Sequence, residues 1–218
     1  MSSVKGEGES IQSVPMVASL KAGSRRTKRA RKPSGQYHHG DLHQALIAAA
    51  LSEIEASGAD SISLAALAKS LAVSQAAPYR HFADRDALLQ AIAEEGFHLF
   101  TLALKRAAQS APPRNALHDM SQAYVDFALS RPGLYRLMFA SRVLATAPPG
   151  GTLHRVATGS FQLLVDVLPE KPAGAARVRR ALKIWAGLHG LAMLAQNDLL
   201  EGELGSITPG ELVRDIVE

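Results

Sequence analysis

Apolar residues recur along most of this chain at three- and four-residue spacing, the mark of helices that each bury one stripe. Leu46, Ala50 and Ile54 form one such row, widened by Ile47 and Leu51. They predict a helix that starts at Gly40-Asp41 with Asp41 as its cap, runs to about Ser57 and ends before Gly58. Leu64, Leu67, Ala68 and Leu71 predict a second, short helix. Val73 suits the corner after it, and Ser74 can cap a third helix, short and polar, reaching His81 with Phe82 turned inward. Asp84 caps a long fourth helix to about Gln109, with Leu88, Ala91, Ile92, Leu99 and Leu102 expected on its inner face.

Beyond Pro112-Pro113 the pattern stays helical but grows richer in large rings. A helix from about Arg114 to Ser130 carries Leu117, Met120, Tyr124 and Phe127 at helical spacing, and Pro132-Gly133 breaks it. A short helix from Leu134 to Ala140 follows, then a loop over Thr146 to Gly151. Helices are expected from Thr152 to about Leu168 and from Gly174 to about Leu200, divided by Pro169 and Pro172, and a last one starts near Pro209. The segment around Trp185 is apolar on more than one side, so it is either central in its bundle or shared between subunits.

Composition narrows this to an all-α fold, because only 5% of residues are aromatic and no alternating β-branched run is longer than a few residues. The absence of cysteine removes disulfides and thiolate metal sites and fits a reducing cytosol. No stretch has transmembrane length, and Ile11 to Leu20 is interrupted by Gln12, Ser13 and Pro15, which argues against a signal peptide; a cytoplasmic location is expected. Charge is unevenly placed. Of 24 basic and 20 acidic residues, eight basic and two acidic lie in 1–36, a net of +6, leaving 16 against 18, or −2, elsewhere. Residues 1–36 therefore predict a disordered basic arm whose run Arg25 to Lys32 suits DNA phosphates.

The second and third helices, Ser63 to Phe82, match a helix-turn-helix whose second member enters the major groove. Gln75, Tyr79, Arg80 and His81 would offer amide, phenol, guanidinium and imidazole groups there. The same spacing also fits a plain αα-hairpin in a bundle. Arg85 occupies the first turn of the fourth helix, where a cation is mildly unfavourable, so it projects into water or serves a partner anion.

From Ser61 to Phe97 the sequence SISLAALAKSLAVSQAAPYRHFADRDALLQAIAEEGF resembles the N-terminal domain of TetR/AcrR-family transcriptional regulators. The resemblance spans about Tyr37 to Phe97. It rests on Val73-Ser74, then Tyr79-Arg80-His81-Phe82, an acidic cap, a basic residue and Ala87-Leu88-Leu89. It implies that Ser74 to His81 is the recognition helix and that Tyr79, His81 and Arg85 sit against the sugar-phosphate backbone. The DNA-facing set so expected is Ser63, Ser74, Gln75, Ala76, Ala77, Tyr79, Arg80, His81 and Arg85, with Tyr37, His38 and the arm residues Arg29, Arg31 and Lys32. Two departures stand out. Ala72 takes a turn position that is often glycine in the family, and Ala76-Ala77-Pro78 replaces Gly-Thr-Leu, so Pro78 is expected to tilt the first turn. More loosely, Trp185, His189 and Gly190, with Arg131-Pro132-Gly133 through Phe139, resemble the WHG-type C-terminal domain of a TetR-like subgroup over roughly 114–218.

The expected architecture is an arm (1–36), a three-helix helix-turn-helix head (37–84) and a helical bundle (85–218) that binds ligand and dimerises, with the last two helices as seam. Phe97, Tyr124, Phe127, Tyr135, Met138, Phe139, Phe161, Trp185, His189 and Met193 are the candidates for a pocket taking a small apolar effector. His189 is equally readable as a core histidine bonded to a backbone carbonyl. No P-loop, G-x-S-x-G or H-E-x-x-H motif points to an enzyme, no cofactor is expected, and His38, His39 and His43 lack the partners of a metal site. The expected function is a homodimeric regulator on double-stranded DNA, acting as a repressor released by effector; the alternatives are a DNA-binding dimer without effector and a helical lipophile-binding protein.

Overall fold

A computed structural model describes residues 39–171, 173–200 and 207–218, with side chains from Leu42 onward. Helix α1 spans His39–Ser57 and α2 spans Leu64–Ser70. After a single 3-10 turn at Pro78–Arg80, α3 spans Arg85–Ser110, α4 Ala116–Ser130 and α5 Pro132–Phe139. The chain continues through α6 (Val143–Thr146), α7 (Thr152–Val167), α8 (Ala175–Gln196) and α9 (Pro209–Val217). No strand occurs among the described residues.

Helix α3 is the axis, packing against α1 at its start and against α4, α5 and α7 farther on. Its buried row Leu88, Ile92, Gly96, Phe100 and Leu104 recurs every fourth residue, and Leu89, Ala93 and Phe97 widen it. Gly96 lets α5 approach, since a side chain there would meet Met138 Sδ at 2.7 Å and Leu134 Cδ1 at 2.8 Å. Asp84 caps α3 as expected, accepting from the N–H of Ala87 at 2.8 Å. Leu102 does not belong to the inner face. It is 43% exposed because two residues beyond Phe100 a helix has turned about 200°.

Several helix ends differ from expectation, α5 starting at Pro132 rather than Leu134. Helix α1 already includes His39, which places Asp41 inside it rather than at its cap. Helix α8 stops at Gln196, where Asp198 takes a positive φ of 56° and the Asn197 side-chain amide donates to Met193 O at 2.7 Å. The last helix does start at Pro209, held by a capping box in which Thr208 and Glu211 bond reciprocally.

Candidate nucleic-acid interface and aromatic core

Helix α2 ends in a Schellman motif: the N–H of Val73 donates to Ala68 O at 3.0 Å and that of Ala72 to Lys69 O at 3.2 Å. The motif needs a left-handed residue, and Ala72 supplies it with φ 54°. That strain costs a residue with a Cβ about 1–2 kcal/mol.

The following segment is not the regular helical rod expected over Ser74 to His81. Ala77 N–H donates to Ser74 O at 2.9 Å, after which only the 3-10 turn Pro78–Arg80 is regular. Pro78 is the physical reason, because it has no N–H to continue the ladder from Ser74. The corner is nonetheless well anchored. Pro78 and Phe82 are buried, and the N–H groups of His81 and Phe82 both donate to Pro78 O, at 2.9 and 3.0 Å. Ser74, Gln75, Ala76, Tyr79 and Arg80 face outward, Tyr79 with 54% of its surface exposed. Ala77 and His81 are half-buried, and the His81 ring lies edge-on to His43 with centroids 6.0 Å apart. Ser63 is exposed in extended conformation before α2, and its hydroxyl makes no capping bond.

Arg85 does not project freely into water but bonds within the chain, with its side chain 39% exposed. Its Nη2 donates to Ala59 O at 2.7 Å and its Nε to Ile62 O at 3.1 Å, with Asp60 and Asp86 carboxylates at 3.6 and 3.8 Å. The guanidinium thus serves the loop between α1 and α2, adding a donor to Ala59 O, which also accepts from the N–H of Ile62 at 3.3 Å, and one to Ile62 O. Between residues 59 and 86, Lys69, Arg80 and Arg85 only balance Asp60, Asp84 and Asp86. Arg29, Arg31, Lys32, Tyr37 and His38 lie outside the described residues.

The ten candidate pocket residues do converge, but they pack against one another. Tyr124 stacks edge-on to Trp185 at 5.2 Å, Phe97 to Phe139 at 5.2 Å and Phe161 to Trp185 at 5.5 Å. Phe127 and Met138 are buried, and Met193 packs against the same core. Phe100, absent from the candidates drawn from spacing, sits among four of these rings: Tyr124, Phe127, Phe139 and Trp185. Its signal is its place on the Leu88 stripe. A cavity of about 10 Å³ bordered by Leu104, Tyr124 and Trp185 holds one water at most, beside the unpartnered hydroxyl of Ser121.

Inside this core the Tyr135 hydroxyl lies 2.7 Å from His189 Nδ1 and 2.9 Å from the Tyr124 hydroxyl. His189 therefore bonds to phenols and not to a backbone carbonyl. Burial holds its pKa below the usual histidine value, and burial raises both tyrosines above theirs, Tyr124 further because of Tyr135 beside it. All three are neutral near pH 7, consistent with Tyr124 donating to Tyr135 and Tyr135 to His189. A larger space, about 740 Å³, opens where the loop at Gly58 to Asp60 and the start of α3 face α5 and α6. Leu89, Leu137 and Val143 floor it, and Arg85, Arg136, Arg142, Asp60 and Asp86 stand at its rim.

On the far side α8 presents an apolar row at four-residue spacing. Val178, Leu182, Ala186, Gly190 and Leu194 are all exposed, the three large ones at 41, 52 and 44%. Nothing lies within 4 Å of where a Gly190 side chain would begin.

Comparison with known proteins agrees with this geometry. Residues 46–92 match the family described as "Bacterial regulatory proteins, tetR family", and residues 117–217 match "Tetracyclin repressor-like, C-terminal domain". Over 85 residues the chain is 34% identical to nucleoid occlusion factor SlmA of Haemophilus influenzae, a match covering 37% of this chain and 38% of that relative. A solved protein of unknown function from Rhodococcus sp. RHA1 is 36% identical, with a TM-score of 0.72 over 84% of this chain and 95% of that one. The TetR family transcriptional regulator PfmR from Thermus thermophilus shares the fold, at 17% identity and a TM-score of 0.58 over 78% of this chain and 93% of that one.

Proposed function

The chain belongs to the tetR family of DNA-binding transcriptional regulators, and from that premise we propose that it is a homodimeric repressor that releases its operator when a small apolar effector binds. One observation carries the DNA-reading part. The outward corner Ser74 to Arg80 sets amide, phenol and guanidinium groups on a turn whose back, Pro78 and Phe82, is buried in the head. In this reading residues 37–84 form the head and 85–218 the body. Gln75 reads a base edge, while Ser63, Ser74, Tyr79 and His81 meet the backbone and Ala76 and Ala77 allow close approach. The head, with Lys69 and Arg80 against Asp41, Glu53, Glu55, Asp60 and Asp84, has a net charge of −3 and gains its electrostatic affinity from the arm, through Arg29, Arg31 and Lys32, with Tyr37 and His38 at the join.

One head is a small contact, so two act together on half-sites about 34–36 Å apart or a related spacing. The exposed row on α8 is where a second copy fits, because an apolar patch of this length is unusual on a monomer and Gly190 within it permits close helix approach. Effector binding opens the packed rings, with Tyr135 and His189 as polar anchors. It acts by favouring a body conformation in which the heads lose their register. The second reading, a DNA-binding dimer without effector, draws on the same packing, since the cavity among the rings is only about 10 Å³. Among the described residues no helix is long and apolar enough to cross a membrane, and the proposed site of action is the cytoplasm.

DNA fragments selected by the full chain from its own genome provide the test. Selected fragments should carry a two-fold repeat, and apolar compounds should release them. Selection of no sequence above background refutes the regulator reading, and retention with every compound favours the second one.

A further inference from the structure

Helix α5 begins at Pro132, which has no N–H, and its N-cap residue Arg131 gives no side-chain bond. Of the next three N–H groups, that of Tyr135 donates to Arg131 O at 2.9 Å. The other two donate to a residue far away in sequence: Gly133 to Glu55 Oε2 at 2.9 Å and Leu134 to Glu55 Oε1 at 3.0 Å. Glu55 lies in the last turn of α1. One carboxylate thus satisfies both remaining donors of the first turn of α5 and sets a negative charge at the positive end of that helix.

The contact is built for closeness. A side chain at Gly133 would begin 2.5 Å from Ile54 O and 3.0 Å from Glu55 Cα, so only glycine lets α5 meet the α1 backbone here. A two-pronged hydrogen bond also resists pivoting in a way one bond does not. Helix α5 meanwhile carries Tyr135, whose hydroxyl rests on His189 of α8. A single short helix is therefore held at its start by the head and along its side by the core of the body.

We propose that Glu55 is a positioning residue for DNA binding: its carboxylate on the start of α5 fixes the angle of head to body, and so the spacing of the two heads. This rests on the reading of the chain as a DNA-binding dimer. Helix α3 joins head and body as well, but one helix by itself leaves the head free to rock about its own axis. The Glu55 contact supplies the second point that stops it.

The chain has no cysteine, so spin labels can be placed at will, on Lys69→Cys in α2 and Thr158→Cys in α7. Labelled subunits are diluted with unlabelled ones, and the head-to-body distance is read without DNA. The distribution should be narrow with Glu55 present and broad in Glu55→Ala and Gly133→Ala, with Glu55→Gln, which keeps one acceptor oxygen, between them. Glu55→Ala should also bind selected DNA at least about tenfold more weakly. Its binding to unrelated DNA and its salt dependence should not change, because no phosphate contact is lost. Equal widths in Glu55→Ala and the parent overturn the proposal, as does an equal loss on selected and unrelated DNA. Should Glu55→Ala fail to fold, Glu55→Gln decides by the same width comparison. A chain that binds no DNA yet shows the broadening would refute the regulator reading and leave the fixed angle established.

Discussion

The phenolic oxygen of Tyr135 and Nδ1 of His189 lie 2.7 Å apart, joining α5 to α8 through the middle of an aromatic core. Tyr124 extends the pair, 2.9 Å from Tyr135 and 3.4 Å from His189. Nothing charged is needed to hold these groups, and burial opposes charging any of them.

That opposition gives stability a pH dependence. Burial lowers the folded pKa of His189 below its unfolded value near 6.5, so the unfolded chain takes up the proton first. The contribution from His189 is complete above about pH 6.5 and declines as pH falls from there through the lowered folded value. Denaturant titrations of the parent and His189→Gln at several pH values measure it. The parent should lose more stability than the variant on acidification, and parallel curves would contradict the assignment.

Ala72→Gly should stabilise the chain. Relief of left-handed strain, offset by the greater freedom of glycine when unfolded, leaves about 0.5–1 kcal/mol in favour. Scanning calorimetry should show the melting temperature rising by about 1–4 °C. Destabilisation would mean that the Ala72 methyl contributes packing worth more than the strain.

Deleting residues 1–34 should weaken binding to all DNA sequences and flatten the dependence on salt, since fewer counterions are released. An unchanged slope removes the arm from the interface. Gln75→Ala should instead cost about 1–3 kcal/mol at one operator position and little elsewhere.

Leu182→Glu buries a charge in the proposed seam and should convert the dimer to a monomer at micromolar concentration. Sedimentation measures this, and an unchanged dimer would move the seam away from the α8 row.

Much of this architecture is legible in apolar spacing, because spacing of three and four is what packing against a neighbour requires. Asp84, Pro209 and the proline breaks give helix ends for the same local reasons. Local reasoning fails where tertiary partners decide. The partners Arg85 has within the chain are invisible to spacing, because the carbonyls of Ala59 and Ile62 are brought to it only by folding. Nothing near Glu55 in sequence marks it out either, since the N–H groups it accepts from lie some 80 residues on. The third helix fails for a reason already visible, since Pro78 removes the hydrogen bond a regular first turn would need. Spacing shows which rings meet but not how tightly, because packing density depends on how several helices close together.

The central claim is that two copies of the corner Ser74 to Arg80 grip one duplex. Hydroxyl-radical footprinting of the full chain on a selected fragment tests it most directly. Two protected patches about one helical turn apart on one face, both weakened by Tyr79→Ala, are the predicted result. A single patch, or protection that Tyr79→Ala leaves intact, would contradict it.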